Sequence, residues 1–174
     1  MSKADNLKKL EKEISEDKNL PLLGSNLVFG EGSVSPKVMF IGEAPGATEN
    51  ELKRPFVGRA GKLLDKMLSE IGWKRGSVYI TNIVKRRPPD NRNPLPEEIA
   101  AYKPYLTRQI EIINPPIIVA LGRFSMNYFL PDARITKDQG KLFKIDGRFV
   151  YPVLHPAAAM RSTKMMKMFR KSFL

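Results

Sequence analysis

Four short apolar runs stand out along the chain, each bounded by Gly, Pro or polar residues. They cover residues 38–41, 78–84, 117–121 and 149–154. Their length and their content of Val, Ile and Phe predict strands that are buried on both faces. A shorter extended segment is expected at residues 27–29, and a hairpin is predicted around Asp146 and Gly147.

Between these runs, apolar residues recur every three or four positions, the spacing of one helix face. The pattern predicts helices at residues 3–16, 60–71, 96–113 and 123–129, and a final helix within 161–174. Pro104 is expected to kink the third of them. The segments 50–59 and 130–148 are predicted to be irregular. Because strands alternate with helices, we predict a three-layer α/β/α fold with a central, four-stranded, mainly parallel sheet, in a single domain over residues 1–174.

The charge balance changes this picture. The 174 residues include 30 Lys and Arg against 18 Asp and Glu, which gives a net charge of +12 and a pI near 10.0. So large an excess favours a polyanionic partner, nucleic acid first and an anionic membrane surface second. A basic protein without such a partner is the alternative.

The residue types that are missing exclude several kinds of chemistry. The chain has no cysteine and one histidine. Disulfides, thiol catalysis and thiolate-held metal are therefore excluded, and one imidazole is too few for a histidine-rich metal site. No apolar run is long enough to span a membrane, and residues 1–17 are charged without a signal-peptide core. An intracellular, cytoplasmic location is expected.

Candidate chemistry begins where the first predicted strand ends. Residues 42–49 form a glycine-containing loop with two carboxylates, Glu43 and Glu49. Glycine allows a sharp turn and a close approach of the backbone to a ligand. The alternative is an ordinary strand-to-helix turn with solvated acids.

Two further polar residues follow apolar runs. Asn82 lies late in the second run, and His155, the only histidine, follows the fourth. Ligands of open parallel sheets bind beyond the carboxyl ends of the strands, so these side chains are expected to meet the acidic loop at one edge. An amide, an imidazole and a carboxylate suit a planar polar ring and the stabilisation of charge on it. Each residue alone has a structural explanation as a hydrogen-bonding group. Phosphoryl transfer is disfavoured, because no GxxxxGK[ST] motif is present.

Several motifs follow one another in the chain: GEAPGATE (42–49), RPFVGRAG (54–61), YITNIVK (79–85), RPPDNRNP (87–94) and HPAA (155–158). Together they resemble the family 4 uracil-DNA glycosylases, bacterial and archaeal members of the uracil-DNA glycosylase superfamily. The resemblance covers residues 20–174, and the combination is specific, whereas HPAA alone would be weak. It implies the fold of that superfamily and the removal of uracil from DNA.

The resemblance also implies roles for individual residues. Glu49 matches the acid that activates or positions the hydrolytic water. Phe56 matches the aromatic residue that stacks on the flipped uracil; from the sequence alone, a core plug under the loop is the alternative. Asn82 matches the amide that reads the pyrimidine edge. His155 matches the residue that stabilises the departing uracil anion at its O2.

Other residues are expected around the base. By the resemblance, Gly42 and Glu43 belong to the loop that lines the pocket. The predicted DNA-contacting side chains are Lys85, Arg86, Arg87, Met160 and Arg161. The first three form a basic, proline-rich edge suited to phosphates, with a solvated turn as the alternative. Met160 is the candidate wedge into the duplex, and a packed methionine is the alternative.

The chain departs from the resembling family at its cofactor. That family typically carries a 4Fe-4S cluster on four cysteines, and this chain has none. Arg86 and Tyr102 stand at two of the ligand positions, and residues 19–23 cover the other two. We therefore expect no metal and no cofactor. Tyr102 and apolar neighbours are predicted to fill the space, with Arg86 pointing to solvent or DNA.

The function expected from the resemblance is that of a monofunctional uracil-DNA glycosylase. It would act on uracil-containing DNA as a monomer, without a membrane partner, and leave an abasic site, since no lysine is placed for strand cleavage. Two alternatives stay open. One is a non-catalytic relative that binds DNA or uracil. The other is a nucleotide- or phosphate-binding protein that uses the loop from Gly42 to Gly46.

Overall fold

The computed structural model describes residues 1–174 and contains six strands and eight α-helices. The strands are β1 (Glu31–Gly32), β2 (Val38–Gly42), β3 (Tyr79–Asn82), β4 (Ile117–Leu121), β5 (Phe143–Ile145) and β6 (Arg148–Val153). The helices are α1 (Lys3–Glu16), α2 (Ala47–Leu52), α3 (Arg59–Glu70), α4 (Pro96–Ile113), α5 (Arg123–Phe129), α6 (Ile135–Asp138), α7 (Pro156–Ala159) and α8 (Thr163–Phe173). Turns of 3₁₀-helix occur at Arg75–Ser77 and Pro89–Asn91. No helix is both long and apolar enough to cross a lipid bilayer.

The six strands form one sheet in the order β1-β3-β2-β4-β6-β5. The central four are parallel and correspond to the four predicted strands. The predicted number of strands was too low, because β1 and β5 add a short antiparallel strand at each edge of that core. The predicted hairpin is confirmed as the β5–β6 turn, where Asp146 and Gly147 both have positive φ, of 50° and 79°. That pair of conformations suits a tight two-residue turn.

The predicted helices are confirmed as α1, α3, α4, α5 and α8, with shifts of one or two residues at their ends. Helix α4 is continuous through Pro104. The prediction of irregular structure was wrong in part, because α2 lies partly within 50–59 and α6 and β5 lie within 130–148. These elements are short, and α2 buries no side chain, so no apolar periodicity marks it.

The core lies on both faces of the sheet. Alternate side chains of β2 point to opposite sides: Met39 and Ile41 pack in the cluster that includes α1 and α4, whereas Val38 and Phe40 pack in the cluster that includes α3 and α8. Both clusters are buried, so the strands are apolar throughout their length. This arrangement confirms the three-layer α/β/α architecture.

Because the central strands are parallel, their carboxyl ends share one edge of the sheet. Gly42, the last residue of β2, pairs with Asn82, the last residue of β3. His155 follows β6 and caps α7. The edge therefore brings together side chains that are far apart in sequence.

Candidate active site

A cleft of about 780 Å³ opens at the carboxyl ends of the central strands. The residues predicted for the site that line it are Glu43, Glu49, Phe56, Asn82, His155 and Arg161. Gly42 lies against two of them. The structure thus brings the predicted acid, amide, aromatic and imidazole side chains to one cavity.

Gly42 has no room for a side chain. A Cβ at this position would lie 2.5 Å from Phe56 Cζ and 2.6 Å from Asn82 Oδ1. Real Cβ atoms do not approach other atoms so closely, and the crowding comes from the two pocket residues themselves. Glycine here lets the aromatic ring and the amide sit side by side.

Asn82 ends β3 with its side chain in the cleft and is 2% exposed. Its Oδ1 atom is buried and has no hydrogen-bond partner in the protein. An unpaired buried acceptor costs about 1–3 kcal/mol. A donor from a bound ligand would remove that cost, and so this atom indicates a binding site.

Phe56 is held in a left-handed backbone conformation, with φ of 49°. Arg75 donates from Nη1 to the Phe56 carbonyl at 2.9 Å and from Nη2 to the Pro55 carbonyl. Such a conformation is uncommon outside glycine and needs support from surrounding contacts. The ring centroid lies 5.6 Å from that of His155. Arg75 and the sheet edge thereby present one apolar ring to the cleft.

His155 has a defined tautomer. Its Nδ1 atom accepts a hydrogen bond from the Ala157 N–H at 3.1 Å, as the cap of α7. A neutral imidazole must then carry its proton on Nε2. Burial lowers the pKa of His155 to about 4; the charge of Glu49 raises it and that of Arg161 lowers it. At neutral pH the ring is an uncharged donor.

The Glu49 carboxylate is held in place by hydrogen bonds from backbone N–H groups. Its Oε1 accepts from the Gly46 N–H at 3.1 Å, and its Oε2 accepts from the N–H groups of Val57 and Gly58 at 2.9 and 2.6 Å. The carboxylate thus joins the loop after β2 to the loop that carries Phe56. Charge-assisted bonds of this kind are among the stronger ones in proteins.

Glu43 has a different environment. It is half-buried in the cleft and makes no side-chain hydrogen bond within the protein. Burial raises its pKa, and the charge of Arg123 opposes that rise. Of the two carboxylates, Glu43 is the one whose oxygens are free to meet water or a ligand.

Lys85 does not reach the surface. It is 0% exposed, and its Nζ donates to Thr81 Oγ1, Asn82 O and Gln109 Oε1. The prediction that Lys85 contacts DNA was wrong. A basic run after a strand looks solvated in sequence, but this lysine packs back beneath the sheet edge.

Arg86 is also buried, at 5% exposed, and the prediction that it points to solvent or DNA was wrong. Its Nη1 donates to the Tyr102 hydroxyl at 3.0 Å, and that hydroxyl donates to the Pro21 carbonyl at 2.7 Å. Tyr102 is 0% exposed, which confirms that it fills the space between these segments. A guanidinium, a phenol and a carbonyl do not fit an iron–sulfur cluster, which needs thiolates.

Of the remaining predicted contacts, Arg161 lines the cleft, Met160 is its neighbour in the chain, and Arg87 contacts the lining residue Asn91. Arg161 lines the cleft and is exposed, and Met160 beside it is 36% exposed. Arg87 is half-buried and donates from Nε to Asn91 Oδ1 at 2.6 Å. These positions are open to a large ligand, whereas Lys85 and Arg86 are not.

Three lining residues with polar or charged side chains were not predicted: Asn91, Asn93 and Arg123. The first two lie in the proline-rich loop after β3. The basic residues of that loop were predicted to contact phosphates, and its asparagines were given no role. Arg123 follows Gly122 at the carboxyl end of β4. Its position at the end of a parallel strand was the signal that would have identified it.

The fold and the cleft define a class of protein. It is an α/β protein in which the ends of parallel strands bring an amide with an unpaired oxygen and a neutral imidazole to one cavity, and a loop adds an aromatic ring. A profile of the uracil DNA glycosylase superfamily matches residues 29–174. The chain belongs to that superfamily.

Individual relatives agree with this. The chain is 45% identical to the type-4 uracil-DNA glycosylase of Sulfurisphaera tokodaii, over 97% of this chain and 82% of the relative. It is 47% identical to the type-4 enzyme of Thermotoga maritima, over 82% and 76%. It is 41% identical to that of Pyrobaculum aerophilum, over 95% and 90%. These matches confirm the family that the motifs indicated.

Proposed function

We propose that this protein removes uracil from DNA by hydrolysing the bond between uracil N1 and deoxyribose C1′, leaving an abasic site. The observation that carries the proposal is the buried, unpaired Oδ1 atom of Asn82 in a cleft shared with Phe56 and His155. Membership of the superfamily supports it, as do the type-4 uracil-DNA glycosylases that the chain resembles.

The Asn82 amide matches one edge of uracil. Uracil N3–H donates to Oδ1, and the amide N–H donates to uracil O4. Cytosine presents an acceptor at N3 and an amino donor at C4, so it opposes both contacts. A base reaches this edge only when it is turned out of the helix, at a cost of a few kcal/mol. The Phe56 ring then takes the place of the neighbouring base as a stacking surface.

His155 acts on the departing base. Bond cleavage leaves the electron pair on uracil, and the negative charge is shared with its O2. The Nε2–H of the neutral imidazole donates to that oxygen and stabilises the anion as it forms. A donor fixed before the reaction needs no reorganisation, and the Nδ1 bond to Ala157 provides that fixation.

Glu43 is our candidate for the water-positioning carboxylate. Cleavage also leaves positive charge on the sugar, and a carboxylate stabilises that charge and accepts a proton from the attacking water. The resemblance assigned this part to Glu49, whose oxygens already accept three backbone N–H bonds. We therefore assign Glu49 to holding the two loops and Glu43 to the water.

DNA binding is assigned to the mouth of the cleft. Arg87 and Arg161 are the candidates for phosphate contacts, and Met160 is the candidate wedge. The net charge of +12 predicts affinity that falls as salt rises, because phosphate contacts release counterions.

We propose that the reaction needs no cofactor. The Arg86–Tyr102–Pro21 contacts join the segments that would hold a cluster in the resembling family. No three His, Asp or Glu side chains lie together as a metal site. A monomeric, one-domain enzyme of the cytoplasm is the simplest form of this proposal.

Purified protein, incubated with a uracil-containing oligonucleotide and then with alkali, tests the proposal. We expect strand breaks at the uracil only after alkali, and none in oligonucleotides with cytosine or thymine at that position. Protein that contains no iron should be as active as protein purified from cells grown with added iron. Tight binding of the uracil oligonucleotide without abasic sites, at every salt and temperature, would favour the non-catalytic relative.

A further inference from the structure

Lys85 is a buried lysine without a carboxylate partner. Its side chain is 0% exposed, and burial alone accounts for a pKa well below its usual range. Its Nζ nevertheless lies 2.5 Å from Thr81 Oγ1, 2.8 Å from Asn82 O and 2.6 Å from Gln109 Oε1. Burial opposes the charged form of Lys85, and these three hydrogen bonds offset the cost of burying its Nζ group.

The three partners can only accept. The Thr81 hydroxyl donates to the Phe29 carbonyl at 2.7 Å. The Gln109 Nε2 donates to the same carbonyl and to the Tyr79 hydroxyl, which leaves Oε1 facing Lys85. Three acceptors match the three N–H bonds of an ammonium group, whereas a neutral amine would turn its lone pair toward one of them. The contacts therefore favour the charged form against burial.

One of these bonds reaches the base-reading residue. The carbonyl of Asn82 receives a Lys85 N–H, and the next N–H along the chain, that of Ile83, donates to Gly42 O. The Asn82 Oδ1 has no partner in the protein. Its direction therefore depends on how firmly the backbone of Asn82 is held.

We propose that Lys85 is a positioning residue for uracil recognition: its ammonium group holds the Asn82 peptide from beneath, so that the side-chain amide is oriented before the base enters. The proposal rests on the proposed function. It explains why a lysine follows the strand and turns inward, with Thr81 and Gln109 completing its environment.

The test combines Lys85→Met with Asn82→Ala under single-turnover conditions, at a temperature where circular dichroism shows every variant folded. Lys85→Met should slow uracil excision about 10- to 100-fold, the scale of a small misplacement in an active site. In the Asn82→Ala background the same change should cost less than about twofold, because residues that act together are not additive. Equal losses in both backgrounds, or none in either, would overturn the proposal.

Lys3→Met is the matched control. Lys3 also donates to a backbone carbonyl, that of Ile113, at 2.9 Å, but far from the cleft. Its loss should leave the excision rate unchanged.

A second pair of variants keeps the test valid if Lys85→Met does not fold. Thr81→Val removes one acceptor of the lysine and keeps the β-branched shape, and Thr81→Ser keeps the hydroxyl. We expect Thr81→Val to slow excision several-fold, whereas Thr81→Ser should have the same excision rate as the wild type. The reverse order would contradict the role of the lysine.

The side-chain amide resonances of Asn82, assigned by their loss in Asn82→Ala, give a readout that does not depend on activity. They should be sharp in the wild type and in Thr81→Ser, but broadened or doubled in Lys85→Met and Thr81→Val. Unchanged resonances in Lys85→Met or, if it does not fold, Thr81→Val would refute the positioning role. A wild-type protein that made no abasic sites would instead refute the proposed function, and the resonances would still decide the positioning.

Discussion

The base cleft and the Arg86–Tyr102–Pro21 contacts differ in one respect: whether buried polar atoms have partners. In the second region the guanidinium, the phenol and the carbonyl are joined in a chain of hydrogen bonds. In the cleft, the Oδ1 atom of Asn82 is buried and unpaired. Both regions hold polar groups away from water, but only one is complete without a ligand.

Within these two regions, the difference separates polar groups that stabilise the fold from a polar group that is available to a ligand. A paired buried group contributes to stability, and removing one partner leaves the other uncompensated. An unpaired group lowers stability until a ligand completes it. Substitutions in the two regions should therefore have opposite effects on stability and on activity.

Asn82→Ala should give the largest effect. We expect uracil excision to fall about 100- to 1,000-fold, as for the loss of one oriented group in an active site. Thermal stability should not fall, because an unpaired acceptor is removed. Single-turnover kinetics and calorimetry measure the two quantities.

Asn127→Ala is the comparison at an asparagine whose side chain is paired, in a more exposed position. Its amide donates to the carbonyls of Leu130 and Ala133 at 3.1 and 2.8 Å. It should lose stability, by about 1 kcal/mol, and keep its rate. If Asn82→Ala and Asn127→Ala changed rate and stability in the same way, the presence of a hydrogen-bond partner would not distinguish a binding group from a structural one.

The two carboxylates of the cleft allow the same comparison at short range. Glu43→Gln should slow excision about 100-fold with little change in stability, because the carboxylate is free and a general base contributes on that scale. Glu49→Gln should lower stability, because three backbone N–H bonds to its oxygens are weakened or lost. If only Glu49→Gln slowed excision, the water-positioning role would belong to Glu49 and not to Glu43.

His155 adds a pH dependence. Its pKa is about 4 in the folded protein, below the usual 6.5, because it is buried. Between these values the unfolded chain binds more protons than the native one, so stability should fall as pH drops from 6.5 to 4. The native imidazole remains neutral over most of that range, so a fall in excision there should follow the protonation of Glu43, whose pKa burial raises.

The only histidine of the chain gives a single set of imidazole resonances, and their titration by NMR measures this pKa directly. His155→Gln should remove its share of the pH dependence of stability. A native midpoint near 6.5 would contradict the burial argument.

Tyr102→Phe should give the smallest effect on activity. It leaves Arg86 Nη1 and Pro21 O without their partner, and we expect a loss of about 1–3 kcal/mol in the free energy of unfolding. The excision rate at low temperature should change by less than about twofold. Chemical denaturation measures the stability change.

Tyr105→Phe is the control for this prediction. It removes a hydroxyl bond to Asp17 from the same helix at a more exposed position, and should cost less. A larger loss of stability in Tyr105→Phe than in Tyr102→Phe would contradict the importance of the buried contacts.

Much of the fold was predictable because its signals are local. Runs buried on both faces, such as residues 117–121, are apolar throughout, and helices such as α4 repeat apolar residues at the spacing of one face. The edge strands β1 and β5 are short and only partly buried, so they lack such a pattern. Parallel order then predicted that Asn82 and His155 would share one edge of the sheet.

The direction in which a charged side chain points is not local. Lys85, Arg86 and Arg87 are adjacent in sequence, yet the first two are buried and the third is half-buried. Lys85 contacts Gln109 and Arg86 contacts Tyr102, and both partners lie on α4. No spacing in the sequence indicates these contacts.

By itself, then, the sequence determined the alternation of strands and helices, the motifs, and the residue types that meet at the carboxyl ends of the strands. The tertiary structure alone decided that Glu49 is held by backbone N–H groups, that Glu43 is free, and that Lys85 and Arg86 are inside. The physical reason is that periodicity depends on neighbours within one element, whereas burial and hydrogen-bond partnering depend on which distant groups the packed elements bring into contact.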